Sequence, residues 1–100
     1  MIRHVLLLTL RPDASPAELG AIADGFDRLA REIAEIRGMR HGKALQLPGS
    51  SALPADYAVM IDFDDPDAFA RYIDHPLHRA FVRSVLQGVR TGGMSAQISI

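Results

Sequence analysis

Twice along this chain a residue able to cap a helix is followed at once by proline: Ser15-Pro16 and Asp65-Pro66. Proline suits the first helical position, where its missing N–H is no loss, and the side chain ahead of it can accept a backbone N–H of the first turn. Each pair therefore marks a helix start, and each follows a segment that reads as a strand. Residues 2 to 10, "IRHVLLLTL", are mostly apolar and end at the turn signal Arg11-Pro12-Asp13. Residues 56 to 63, "DYAVMIDF", place Tyr57, Val59, Ile61 and Phe63 on one face and Ala58, Met60 and Asp62 on the other.

The first helix is the most strongly signalled element. Glu18 stands three residues after Ser15, where it can close a capping box. Apolar residues at 19, 22, 23, 26, 29, 30, 33 and 36 form one stripe, and Gly38 is its expected stop. The second helix has Phe69, Tyr72 and Ile73 on its expected inner face. Pro76 must interrupt it, because proline lacks an N–H and disfavours helical geometry at His75. A third helical stretch restarts there and carries His78, Phe81, Val82, Val85 and Val89.

Two more strands complete the pattern. Residues 39 to 47, "MRHGKALQL", alternate loosely and lead into a loop over 48–54. After a turn at 91–93, "MSAQISI" alternates, with Met94, Ala96, Ile98 and Ile100 expected inward. The order βαββαβ implies one α+β domain over 1–100, ferredoxin-like, with a four-stranded antiparallel sheet and its helices on one face.

Composition narrows the function. Net charge is −1, from 11 basic and 12 acidic residues well mixed, so there is no electrostatic footprint for nucleic acid or an anionic membrane. No cysteine is present, which excludes disulfides, thiol catalysis and sulfur-ligated metals. The apolar run from Val5 to Leu8 is far too short to span a bilayer, and no small-residue cleavage site follows it. A cytoplasmic location without a cofactor is expected. No nucleophile elbow and no glycine-rich phosphate loop occur.

Helices cover one face of such a sheet. The covered face is assigned His4, Leu6, Leu8, Tyr57, Val59, Ile61, Met94, Ala96 and Ile98. The other carries Val5, Leu7, Ala58 and Met60 among Thr9, Gln46, Asp62 and Gln97. Leaving the apolar ones in water would make a patch, which a two-fold dimer with facing sheets removes.

Four histidines occur. His41, between Arg40 and Lys43, reads as a solvated edge residue. His4 shares a row with Leu6 and Leu8, and His78 projects from the helical face of Phe81 and Val82. Burial disfavours the charged imidazole, so one ring nitrogen stays a free base. Tyr72 and Tyr57 should point toward the same interface. The convergence outlines an apolar ligand pocket walled by His4, Leu6, Leu8, Phe26, Tyr57, Val59, Ile61, Ile73 and Phe81, with His78 and Tyr72 as its reactive pair. Satisfied core histidines fit the same pattern, and the two readings stay open here. A metal held by His4, His75 and His78 lacks a well-placed carboxylate, so no metal is expected.

"MIRHVLLLTLRPDASPAEL" and "FDDPDAFARYIDHPLHRAFV", with the βαββαβ order between them, resemble the stress-responsive dimeric A/B-barrel (Dabb) family. The specific marks are the early strand histidine and the run His75-Pro76-Leu77-His78. The resemblance implies a homodimer whose sheets close a shared α/β barrel. One plant branch, the olivetolic acid cyclases, is a cofactor-free polyketide cyclase. Carried over by position, it implies His78 as general base, Tyr72 as its helper and His4 in the pocket wall. Phe26 stands where that branch has a tyrosine and Tyr57 where it has a histidine, so the resemblance implies a different substrate. Two functions follow: cofactor-free acid–base chemistry on a small apolar or aromatic molecule, or a non-catalytic binding or structural dimer module.

Overall fold

The computed structural model describes residues 1–50 and 55–100. Its elements run β1 (Ile2–Leu10), α1 (Pro16–Glu32), β2 (Gly38–Lys43), β3 (Tyr57–Phe63), α2 (Pro66–Asp74), α3 (Pro76–Phe81), a π-helical turn (Val82–Leu86) and β4 (Arg90–Ser99). The sheet is antiparallel in the order β2-β3-β1-β4. Two central strands, β1 and β3, are thus flanked by the strands that end each βαβ half, as a ferredoxin-like arrangement requires.

Local chemistry accounts for the helix starts. The Glu18 N–H donates to the Ser15 hydroxyl at 3.1 Å, and the Ser15 N–H donates back to the Glu18 carboxylate at 3.0 Å. Asp65 accepts the Ala68 N–H at 2.8 Å. The helix stop is a correction: α1 ends at Glu32 with Ile33 already extended, and Gly38 opens β2 instead. The stripe misled because it continues through the turn. Ile33 is buried and Ile36 half-buried on the same side, while the Arg37 N–H donates to the Asp62 carbonyl at 2.8 Å and draws the chain into the sheet.

The second strand is shorter than its sequence pattern. It pairs β3 only through Lys43, and the expected strand residues 44–47 lie beyond its end. Part of the expected loop over 48–54 falls on residues 51–54, outside those described.

β4 carries the largest correction. It begins at Arg90, so 91–93 are strand rather than turn. Leu7 faces Met94, Val5 faces Ala96 and Arg3 faces Ile98. Directly opposed residues share a face, so Met94, Ala96 and Ile98 lie on the open side with Val5 and Leu7, and Gln97 lies on the helix side with His4. Met94 is 60% and Ile98 50% exposed; Ile100, beyond the strand, is exposed as well. Alternation gave the right pairs and the wrong phase. Phase is set by the pairing with β1, which shifts register between Thr9 and Leu10.

The core sits between the sheet and the helices. Leu8, Val59, Ile61 and Phe63 from the strands pack against Ile22, Phe26, Leu29 and Ile33, with Tyr72 closing one end. The π-helical turn has its own effect. Gln87 N–H donates to the Val82 carbonyl five residues back, at 2.8 Å. The wider turn rotates Leu86 into the core and leaves Val85, an expected inner residue, half-buried.

At Gly25, α1 lies close against the Phe81 ring of α3. A Cβ there would stand 2.0 Å from Cε1 of Phe81, whose ring is packed edge-on against Phe26. Gly25→Ala should therefore destabilise the fold by about 1–3 kcal/mol through overpacking, despite alanine's better helix propensity. A lower urea midpoint at unchanged slope is the expected result; an unchanged or raised midpoint would show that Phe81 moves aside freely.

Candidate functional site

A cavity of about 270 Å³ lies on the helix side of the sheet, at the β1–β4 end. β4 is the reason it exists. Register sets Gly93 opposite Leu8 and Ser95 opposite Leu6, and neither fills the space a large side chain would. From β1 come His4 and Leu6; from α2, Tyr72 and Ile73; from α3, His78 and Phe81; α1 contributes Phe26. The structure thus brings the expected reactive pair together with five of the expected wall residues. Leu8, Tyr57, Val59 and Ile61 lie in the core instead, away from the cavity lining.

The break at Pro76 builds the polar centre. In an unbroken helix the Leu77 N–H would bond the Ile73 carbonyl. Here His75, in extended geometry, caps α3, and its Nδ1 accepts the Leu77 N–H at 3.1 Å. The Ile73 carbonyl is left over, and the His78 ring takes it: Nδ1 lies 3.0 Å away and donates. A carbonyl only accepts, so the neutral His78 ring holds its proton on Nδ1 and leaves the Nε2 lone pair free. The two histidines that bracket the proline thus satisfy two of the backbone groups freed by the break, and the His75 N–H takes the Tyr72 carbonyl at 3.1 Å.

His4 is held in the opposite tautomer. The Gln97 amide nitrogen donates to its Nδ1 at 2.8 Å, so the neutral ring carries its proton on Nε2. His4 is buried, with its ring 5.1 Å from that of Phe69. Burial pushes its pKa below the ordinary imidazole value, and the nearby His78 adds to the effect. Burial also lowers the pKa of His78. The bond to the Ile73 carbonyl works against this, and Arg79 and His75 lower it further.

Tyr72 completes the group. It is 1% exposed, and its ring packs 5.1 Å from Phe63 and 4.5 Å from the His78 ring. Burial drives the pKa of its phenol upward, so it is a donor and not a phenolate. Its hydroxyl has no hydrogen-bond partner among the described residues and is not sealed off from the cavity. One donor imidazole, one acceptor imidazole and one phenol therefore meet in an apolar hollow. Positioned proton transfer needs such a set.

His41 is not the solvated edge residue its charged neighbours suggested. β2 turns it toward the helices, and its side chain is only 13% exposed. Asp27 accepts from its Nε2 at 2.6 Å, and the Tyr57 hydroxyl lies 2.7 Å from its Nδ1. Tyr57 is thereby held by helix one and strand two, beside Phe26. Gln97, Ser95, Arg90, Val82 and Leu86 belong to the site and were missed. Ser95 and Gln97 were lost with the phase of β4, Arg90 because the strand begins earlier than its alternation suggested, and Leu86 with the π-helical turn. Among the described residues, no group of three or more histidine, aspartate or glutamate side chains is placed to hold a metal ion. Among the described residues, no helix is long and apolar enough to cross a membrane.

The stress responsive A/B barrel domain family, Dabb, matches residues 2–93. An uncharacterised protein of Streptomyces coelicolor is 29% identical over 82 residues, which are 82% of this chain and 84% of the relative. A dimeric ferredoxin-like protein of unknown function from Thermobifida fusca superposes with a TM-score of 0.83 at 27% identity, over 99% of this chain and 90% of the other. The hydroxynitrile lyase of Passiflora edulis superposes with a TM-score of 0.86 at 15% identity, over 99% and 92%, a likeness of fold alone.

The lowered imidazole pKa values tie stability to pH. Where the folded pKa lies below the unfolded one, the unfolded chain binds more protons in the interval between them, so stability rises with pH there. His4 and His78 contribute fully above the ordinary value near 6.5, and their contribution is lost as pH falls through the lowered folded values. Wild type should thus lose more melting temperature between about pH 7.5 and about pH 5 than a His4→Gln, His78→Gln double variant. Equal losses would mean that neither imidazole is buried in its neutral form.

Proposed function

This chain belongs to the stress-responsive A/B-barrel family, and on that footing we propose that it is a homodimeric small-molecule protein whose His78 and Tyr72 carry out cofactor-free proton transfer. The observation that carries this reading is the tautomer of His78. Its Nδ1 is committed to the Ile73 carbonyl, so Nε2 is the basic nitrogen in a cavity that Tyr72 also lines.

The chemistry follows from those groups. A substrate with a carbon-bound hydrogen beside a carbonyl gives that proton to His78 Nε2, and the C–H electron pair moves into an enolate. The Tyr72 hydroxyl and His4 Nε2–H donate to the enolate oxygen, and the imidazolium returns its proton to carbon or oxygen. Positioned acid–base catalysis of this kind contributes about 10²–10⁴-fold. The ring of Tyr72 against that of His78 keeps the imidazole plane fixed.

Phenylacetone, an apolar aromatic ketone with an activated C–H, is a suitable probe. Wild type should speed its benzylic hydrogen–deuterium exchange over buffer by about 10²-fold or more, and His78→Ala should abolish the increase with the fold retained. Normal exchange by His78→Ala would overturn the assignment. Undiminished binding without exchange in wild type, with a lowered melting temperature in His78→Ala, would point to a non-catalytic binding module instead.

The dimer rests on the open sheet face. Val5, Leu7, Met60, Met94, Ala96 and Ile98 share it, which makes it more apolar than the sequence pattern implied. Arg3 and Asp62 form a two-pronged ion pair across it, at 2.7 and 3.0 Å, while Arg40, opposite Met60 on the same face, has no ion pair with a described residue. Two such faces can pack about a two-fold axis. Light scattering should give the mass of two chains, and Met60→Glu, at an exposed position, should shift it toward one. A wild type of single-chain mass refutes the dimer.

A further inference from the structure

The pocket reading above leaves the chemical class of the ligand unspecified, and the inference here rests on that reading. We propose that the ligand carries a carboxylate and that Arg90 is its anchor.

Arg90 opens β4 and lines the cavity. Its side chain runs over the helix-facing side of the strand. A Cβ built on Gly93, which faces the helices opposite Leu8, would stand 3.8 Å from Arg90 Cδ. Arg3, Arg11, Arg28, Arg37, Arg71 and Arg79 are each paired with a carboxylate; of the arginines without such a pair among the described residues, Arg31, Arg40, Arg83 and Arg90, Arg90 alone lines this cavity. Arg90 makes no ion pair or side-chain hydrogen bond with a described residue. No aspartate or glutamate lines the cavity either.

The other polar groups are of one kind. His4 presents Nε2–H, Tyr72 a phenol with its proton held, and Ser95 a hydroxyl. Only His78 Nε2 must accept. A cavity lined by one guanidinium and three donors, with no carboxylate among the described residues, favours an anion over a neutral ligand, although Arg90 itself is exposed and its charge partly screened by solvent. A neutral ligand leaves the guanidinium without a counter-charge at the edge of an apolar hollow. A carboxylate matches its planar fork with two parallel hydrogen bonds. Phe26, Phe81 and Leu6 supply the apolar walls, so the complement is a small acid with an aromatic or branched body.

Phenylpyruvate and phenylacetone share one frame and differ in a carboxylate replacing a methyl group, so they isolate the charge. Dissociation constants are read by NMR titration at about pH 8, where both imidazoles are neutral. Wild type should bind phenylpyruvate about tenfold or more tighter than phenylacetone. Arg90→Gln should bring the ratio of the two constants close to one, and added salt should erode it in wild type. Three outcomes overturn the proposal: no preference in wild type, a preference that survives Arg90→Gln, or failure of both probes to bind. The third also removes the pocket reading, whereas the first two leave proton transfer by His78 standing.

Discussion

Strand β1 is the interaction on which the rest depends. It pairs with β3 on one side and β4 on the other, and its alternation sorts every residue of the sheet. His4, Leu6 and Leu8 bring Ile61, Val59 and Tyr57 to the helix side on one flank, and Gln97, Ser95 and Gly93 on the other. The flanks could hardly differ more. Large apolar partners on β3 make a core; small and polar partners on β4 make a hollow. A slip of one residue in the second pairing would fill the hollow with Met94 and strip His4 of the amide that sets its tautomer.

The His-Pro-x-His run shows how a structural necessity fixes the tautomer of a ring. Proline must break the helix, and a break frees backbone donors and acceptors, the Leu77 N–H and the Ile73 carbonyl among them. Water could satisfy both. Here His75 takes the donor and His78 the acceptor, at a cost of no further residues. The acceptor bond is the consequential one, because it chooses which nitrogen of His78 remains basic.

Much of this was legible in the residues, and the failures were of one type. Helix starts were readable because capping is local: Ser15, Glu18 and Asp65 act within three residues of themselves. The inner faces of β1 and β3 were readable because one side of each is crowded with large apolar groups. His4, Tyr72 and His78 could be placed on one interface because each shares a face with large apolar neighbours, though the residues alone left a ligand pocket and satisfied core histidines equally open. β4 was different. Its two faces, Met-Ala-Ile and Ser-Gln-Ser, looked like inside and outside, and they are the reverse, because the apolar set serves the open face and the polar set serves the cavity. Hydrophobicity assigns a strand's phase only when the helix side is solid core. His41 failed likewise: charged neighbours in sequence say nothing of Asp27 and Tyr57, which reach it from a helix and another strand.

β4 is also the least packed strand of the sheet, exposed along nearly its whole length within one chain. Ser95, which lines the hollow, therefore sits on a sparsely supported strand, whereas the phenol of Tyr72 hangs from a crowded helix face. On the proposed reading, the volume offered to a guest and the chemistry performed on it are thus carried by separate parts of the chain. Descendants of this sequence could trade one guest for another by altering a single sparsely supported strand, while the proton-handling groups and the architecture that orients them stay as they are.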